Sequence, residues 1–338
     1  MGSLRGLQYA LSFHSRSSPS TIYPTTDAHP ERESQDTHLL ADLQRLHEFG
    51  NYLSAGWLQK ALEMCLSMHR EVQQIFPQIR QAVQRQNSKW MDETLDDTVK
   101  LLDVCNALRE YMRDIKQYQE KLHLVIHMLN GPIGPWQLGR ARIALGSLCE
   151  LPAKATEPPQ NKSRLENCSS VLRRMGGKLA APCAGGELVE PIHAAMDLTV
   201  FVCDLLLVAL SFRSRRSLPL PCSGHSTWGG ALQALQLKVK EEVDKRRNKG
   251  IVCVLLDELF AVESASQSVN DLLKRFLNSK SVPLKEAQDL ELRQSVVCLK
   301  NCVAELEDGM AFIESQINEL FEVIIGGRMA LLDALTYS

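Results

Sequence analysis

Apolar residues along this chain recur at alternating steps of four and three. Near the C-terminus the rungs are Leu292, Val296, Leu299, Val303, Leu306, Met310, Ile313, Ile317, Leu320 and Ile324. That is the period of an α-helix presenting one stripe to a partner. A second ladder runs through Leu58, Leu62, Cys65, His69, Val72, Phe76, Ile79 and Val83. A third comprises Leu101, Cys105, Leu108, Met112, Ile115, Gln119, Leu122, Ile126 and Leu129. A weaker fourth joins Leu255, Leu259, Val262, Ser266, Val269, Leu273 and Phe276.

One buried stripe does not repay the entropy of ordering a long helix, so each ladder needs neighbours on more than one side. Four ladders in one chain supply them. The pattern predicts an all-α fold, a bundle of long amphipathic helices. An intermolecular coiled coil uses the same period and is the alternative. Breaks fall at Asn130-Gly131-Pro132 and Gly134-Pro135, at Pro152 to Pro159, and at Pro219 to Gly224. Helices this long joined by breaks this short are expected to lie antiparallel. The expected organisation is a bundle over 37–338, with loops near 131–135, 152–162 and 213–227.

Residues 1–36 differ from the rest. Met1 to Thr26 hold Arg5, Arg16, many Ser and Thr, and no acidic residue. An ordinary disordered tail and an organelle transit peptide share that composition. No apolar core follows the start, so a secretory signal is not expected. Gly2 suggests myristoylation, but Gly6 stands where Ser or Thr is needed.

A net charge of −2 removes a global basic field, so nucleic acid is not an expected partner. Aromatics are 6% of the chain, which together with scarce period-two alternation disfavours a sheet. The ten cysteines form no CxxC pair. Cys65 and Cys105 occupy ladder rungs and Cys203 an apolar run, which reads as buried reduced thiols in an intracellular protein.

Ala194 to Phe212 is the one stretch suited to a membrane. Its nineteen residues span about 28 Å as a helix, near the ~30 Å of a hydrocarbon core. Ten Leu, Val and Phe contribute roughly −3 to −6 kcal/mol on the insertion scale. Asp197 and Asp204 cost up to about 5–7 kcal/mol, so hydropathy does not decide. The aspartates lie seven apart and share a helix face with Phe201 and Leu205, the candidate membrane- or ligand-facing surface. A central bundle helix is the expected reading, and membrane attachment through 194–212 the alternative.

Other constellations stop short of chemistry. His123 and His127 stand one turn apart, with Glu120 a further turn back, but no HExxH motif or second ligand pair completes a zinc site. Cys298 and Cys302 flank the ladder beside Leu299 and Val303, and are expected as buried thiols rather than ligands. His69 is expected as a satisfied core histidine. Glycine pairs at 176–177, 185–186, 229–230 and 326–327 lie in no phosphate-binding frame. The run Lys245-Arg-Arg-Asn-Lys249 reads as a solvated helix end. Asp92, Glu93, Asp96 and Asp97 crowd a helix start, where the dipole favours them. No catalytic residue, cofactor or metal site is expected, and the chain is not expected to be an enzyme.

Several words are nevertheless distinctive. Asp97-Thr-Val-Lys-Leu-Leu-Asp-Val-Cys-Asn-Ala-Leu108 resembles the signature helix of the plant Bypass family. Ser163-Arg-Leu-Glu-Asn-Cys-Ser-Ser-Val-Leu172 and Leu320-Phe-Glu-Val-Ile-Ile-Gly-Gly-Arg-Met-Ala-Leu-Leu332 resemble two further family segments, in the same order. Trp57-Leu-Gln-Lys-Ala-Leu62 and Lys89-Trp90 also fit. The resemblance covers roughly residues 38–338. It implies a plant developmental protein without catalytic residues, limiting production of a root-derived mobile signal that arrests shoot growth; the expected location is cytoplasmic, with membrane association as an alternative. Relatives of the ROH kind imply protein partners, exocyst subunits among them, and carry a similar mid-chain apolar segment. This chain departs from the pattern in its Ser/Thr-rich start, in the stretch from Arg213 to Ser226, and in the two aspartates. A carrier or enzyme for an apolar signal precursor, held by Asp197 and Asp204, is the alternative of another class. A plastid location through the N-terminal tail is the alternative compartment.

Overall fold

The computed structural model describes residues 30–83, 89–131, 134–154, 167–176, 189–211, 218, 228–248, 254–278 and 285–336. Its elements are α1 (Pro30–Phe49), α2 (Ala55–Val83), α3 (Lys89–Asn130), α4 (Pro135–Lys154), α5 (167–176), α6 (Glu190–Ala209), α7 (Gly229–Asn248), α8 (Asp257–Asn278) and α9 (Glu286–Thr336). Among the described residues there is no strand. The expected tail falls largely on residues 1–29, outside the described residues, and α1 begins at Pro30.

Helix α9, 51 residues long, is the spine. All ten rungs of its ladder are buried, and Leu331 and Ala334 continue it. Three helices pack along it: α2, α3 and α8. Cross-helix bonds give their directions. Gln59 bonds the carbonyl of Gly309 and Gln73 that of Val323, so α2 runs parallel to α9. Arg109 bonds Asn318 and His123 bonds Glu307, so α3 runs antiparallel to it. Arg275 pairs with Glu291, which suits an antiparallel α8 joined to α9 by residues 279–285.

All nine rungs of the α3 ladder are buried, but α3 also buries Val104, Ala107, Tyr111, Tyr118 and Val125. It is covered on more sides than one stripe announces, because α4 and α6 pack against it as well as α9. On α8 every rung is buried. On α2, Leu58, Leu62, Cys65 and Val72 are buried while His69 and Phe76 are half-buried. The side chains of Ile79 and Val83 lie outside the described residues. Pro77 sits inside α2 without ending it.

The α1–α2 corner turns on Gly50 and Asn51, whose φ values of 63° and 49° lie in the left-handed region that these residue types tolerate. Ser54 then caps α2, its Oγ accepting the Trp57 amide at 3.2 Å. The Ala55 amide donates to both carboxylate oxygens of Glu258 at 3.0 Å, so α8 supplies a second cap. The Trp57 indole N–H donates to Leu46 O at 3.0 Å and fixes α1 against the corner.

Candidate functional site

Helix α6 is apolar nearly all round, so it lacks a solvent face and belongs in an interior. Glu190 and Pro191 open it, an acid at the positive dipole end and a proline in the first turn. It packs against α2 and α3, and 89% of its most apolar window is buried within the protein. By length and composition α6 also passes as a membrane span.

On the face singled out in the sequence, Phe201 and Leu205 lie in the core. Asp204 is 3% exposed and accepts a hydrogen bond from the Ser169 hydroxyl of α5 at 3.1 Å. Residues 167–172 of that distinctive segment are thereby tied to the apolar helix. Asp197, about one turn before Phe201, is half-buried, and burial pushes its carboxyl up to about 7.

At the level of Asp204 three thiols meet from three helices, Cys65 (α2), Cys105 (α3) and Cys203 (α6), all fully buried. The hydrogen bond to Cys105, and then burial, raise Cys203. Burial pushes Cys65 up to about 12. Cys65 and Cys203, so placed, stay protonated and unreactive at neutral pH.

The opposite face of α6 carries Thr199. Its hydroxyl donates to Ala195 O at 2.7 Å, so the His69 Nε2, 2.9 Å away, is assigned the proton and donates to Thr199. Burial pulls His69 down to about 4, and the ring is neutral. Beside it is a cavity of about 30 Å³, whose polar lining is His69 and Gln73 from α2, Thr94 and Thr98 from α3, and Arg328 from α9. Arg328 Nη1 donates to Leu95 O and to Thr98 Oγ1 at 3.1 Å. Gln73 Nε2 donates to Val323 O at 3.0 Å, and Thr94 Oγ1 to Trp90 O at 2.8 Å. A Cβ on Gly326 would stand 3.3 Å from Gln73 Nε2, and one on Gly327 3.7 Å from the Phe76 ring. The Gly-Gly-Arg word therefore has a physical sense. The glycines let α2 approach α9, and the arginine next to them reaches across to α3.

Two of the distinctive segments, 97–108 and 320–332, meet at this cavity. The arginine was not singled out in the sequence. The sequence showed only a cation next to two glycines, and the threonines it meets lie on another helix some 230 positions away.

The remaining candidates disperse. His123 Nε2 lies 2.6 Å from Glu307 across the α3–α9 seam, and His127 and Glu120 are exposed. Among the described residues no three His, Cys, Asp or Glu side chains are grouped to hold a metal ion. Cys298 and Cys302 correct an expectation. Cys298 is exposed and Cys302 half-buried, because both point away from the seam that Leu299 and Val303 fill. At the end of α7, Lys245 and Arg246 pair with Glu242, and Arg246 also reaches Asp257 and Leu255 O. Arg246 thus braces α7 against α8 rather than pointing freely into solvent. Lys249 lies outside the described residues. At the start of α3, Asp96 and Asp97 both lie 2.6 Å from Lys100.

A family model described as Protein ROH1-like matches residues 37–170 and 161–335. Protein ROH1D of Arabidopsis thaliana is 26% identical, over 84% of this chain and 82% of its own length. Protein BPS1, chloroplastic, of the same organism is 22% identical, over 89% of this chain and 82% of its own. UPF0496 protein 4 of Oryza sativa subsp. japonica is 25% identical, over 76% of this chain and 53% of its own. No solved structure matches the chain.

Proposed function

The chain belongs to the ROH1-like family, and from that premise we propose that it is a non-catalytic regulator of plant development that works by binding other proteins. One observation carries the reading. Around α6, where the distinctive segments meet, the polar groups are spent on holding helices together. Arg328, Gln73 and Thr94 end on backbone carbonyls, the Cys65 and Cys203 thiols are protonated, and His69 is neutral. The cavity of about 30 Å³ between them holds about one water, not a metabolite, and neither aspartate lines it. What such a bundle offers to other molecules is its outer surface. On α9 that surface includes Leu290, Val297 and Phe312, each more than half exposed.

By resemblance, the process regulated is the production of a root-derived mobile signal that arrests shoot growth, and the partners include exocyst subunits. The regulator acts in the cytoplasm. A plastid location is the alternative, supported by the composition of Met1 to Thr26 and by the word chloroplastic in the name of one relative.

The test is a binding assay with the tagged full-length chain and purified exocyst subunits, paired with metabolite profiling of the purified protein. Retention of a subunit in fixed proportion, with no metabolite consumed, is the expected result. Turnover of a metabolite without any retained protein would replace the reading with an enzyme.

A further inference from the structure

Helix α9 carries two thiols beside its buried seam, Cys298 and Cys302, which the protein-binding reading leaves unused. They lie four positions apart, one helical turn, so their side chains stand on the same face. Cys298 is exposed, and Cys302 is half-buried with one side against the core. The Cys302 thiol is hydrogen-bonded to Cys298, so the two sulfurs already meet. Among the described residues the other cysteines, Cys65, Cys105, Cys168 and Cys203, are all buried. Cys298 and Cys302 are thus the thiols that solvent reaches. The helix under them is held in place, since Leu299 and Val303 are fully buried.

Geometry separates the uses to which paired thiols are put. A disulfide needs Cβ atoms about 3.5–4.5 Å apart. Residues one turn apart in a helix hold theirs about 5–6 Å apart. The pair therefore closes no S–S bond while α9 stays helical, and the buried rungs keep it helical. Burial first, and then the adjoining Cys298, raise the Cys302 thiol above its ordinary value. Oxidants attack the thiolate, so Cys302 is also shielded from them. A zinc ion takes four ligands. Among the described residues no third His, Cys, Asp or Glu is grouped with the pair to hold a metal ion. A soft cation that binds through two sulfurs fits instead, and thiolates select monovalent copper. An ion between the sulfurs also suits the wider spacing. It spans the gap with two metal–sulfur bonds, of roughly 2.3 Å each at zinc-like lengths, where a disulfide has one bond of about 2 Å.

We propose that Cys298 and Cys302 form a surface site for one monovalent copper ion, bound by both sulfurs. Each sulfur exchanges its proton for a bond to copper, and the two protons leave to solvent. Copper enters and leaves as Cu(I), so no electron is transferred. Cys298, open to solvent, receives the ion from an incoming thiol complex, and Cys302 completes the pair. The ladder of α9 is buried whether or not the ion is bound, so the site loads and unloads without unfolding. This site is independent of the protein-binding reading, and either stands if the other fails.

The purified full-length chain, reduced and kept free of oxygen, is titrated with Cu(I) in acetonitrile against a coloured Cu(I) chelator. Three variants accompany it: Cys298→Ser, Cys302→Ser and the two together. An unchanged melting curve checks that each folds. The parent chain is expected to win one copper that all three variants fail to win, because a two-sulfur site is lost with either sulfur. With one equivalent loaded, X-ray absorption is expected to show copper with two sulfur neighbours. Bound copper is expected to protect both residues from alkylation, read by mass spectrometry, whereas Zn(II) leaves them open. Variants that hold as much copper as the parent would overturn the proposal by placing the ion on other thiols. Losses that merely add between the single variants would overturn it too, reducing the pair to unrelated thiols. A disulfide between the two after peroxide treatment of the folded chain would make the pair a redox switch instead.

Discussion

Two half-buried titratable groups, Asp197 on the apolar helix and His69 packed beside it, pull stability in opposite directions with pH. Asp197 has its carboxyl pushed up to about 7 from the ordinary 3.8, so the folded chain holds that proton more tightly than the unfolded one. Its contribution is full below about 3.8 and falls as pH rises to about 7. His69 is pulled down from 6.5 to about 4, so its contribution is present above 6.5 and is lost as pH falls toward 4. Over the window from 4 to 6.5 the two slopes oppose each other. Each full unit is worth about 1.4 kcal/mol, and less for Asp197, whose side chain keeps some contact with water. Urea unfolding of Asp197→Asn is expected to show stability rising more steeply from pH 4 to 6.5 than in the parent chain, with the variant the more stable of the two at pH 8. His69→Gln is expected to tilt the same curve the other way. Parallel curves for all three proteins would mean that neither group is buried as described.

At the scale of the element, the spine and its closest crossing make the sharper case. Helix α9 passes the start of α2 at Gly309, where an added Cβ would stand 2.7 Å from the Ala55 Cβ. Gly→Ala within a helix ordinarily stabilises by about 1 kcal/mol. Here overpacking against the first turn of α2 costs about 1–3 kcal/mol, and Gly309→Ala is expected to lower the unfolding midpoint. Gly146→Ala, on the bare face of α4, is the control and is expected to raise it. Thermal unfolding of both variants reads the two signs directly. The ladders themselves were legible in the sequence, since every rung of α3, α8 and α9 is buried where the period put it. The close crossing was not, because a glycine inside a ladder looks the same whether a neighbour or solvent faces it. Nor was the second stripe of α3, since residues such as Tyr111 and Tyr118 become buried only when a third and fourth helix arrive.

For the molecule as a whole, the open question in the sequence was what surrounds 194–212. Hydropathy could not answer, because the gain from ten apolar residues and the cost of two aspartates nearly cancel. The answer depends on groups far away in the chain: Ser169 meets Asp204 across 35 positions and His69 meets Thr199 across 130. The bundle gives α6 the same apolar burial that a bilayer offers. It adds a partner for the Asp204 carboxylate that lipid cannot supply, and drawing α6 out would leave a helix-sized void between α2 and α3. We therefore expect α6 to stay in the bundle. The tagged full-length chain, recovered with plant membranes and washed in alkaline carbonate, is expected in the supernatant, since this wash strips whatever is held only at the membrane surface. Retention in the pellet would mean that α6 leaves the bundle and spans the bilayer, with Asp197 and Asp204 turned toward protein.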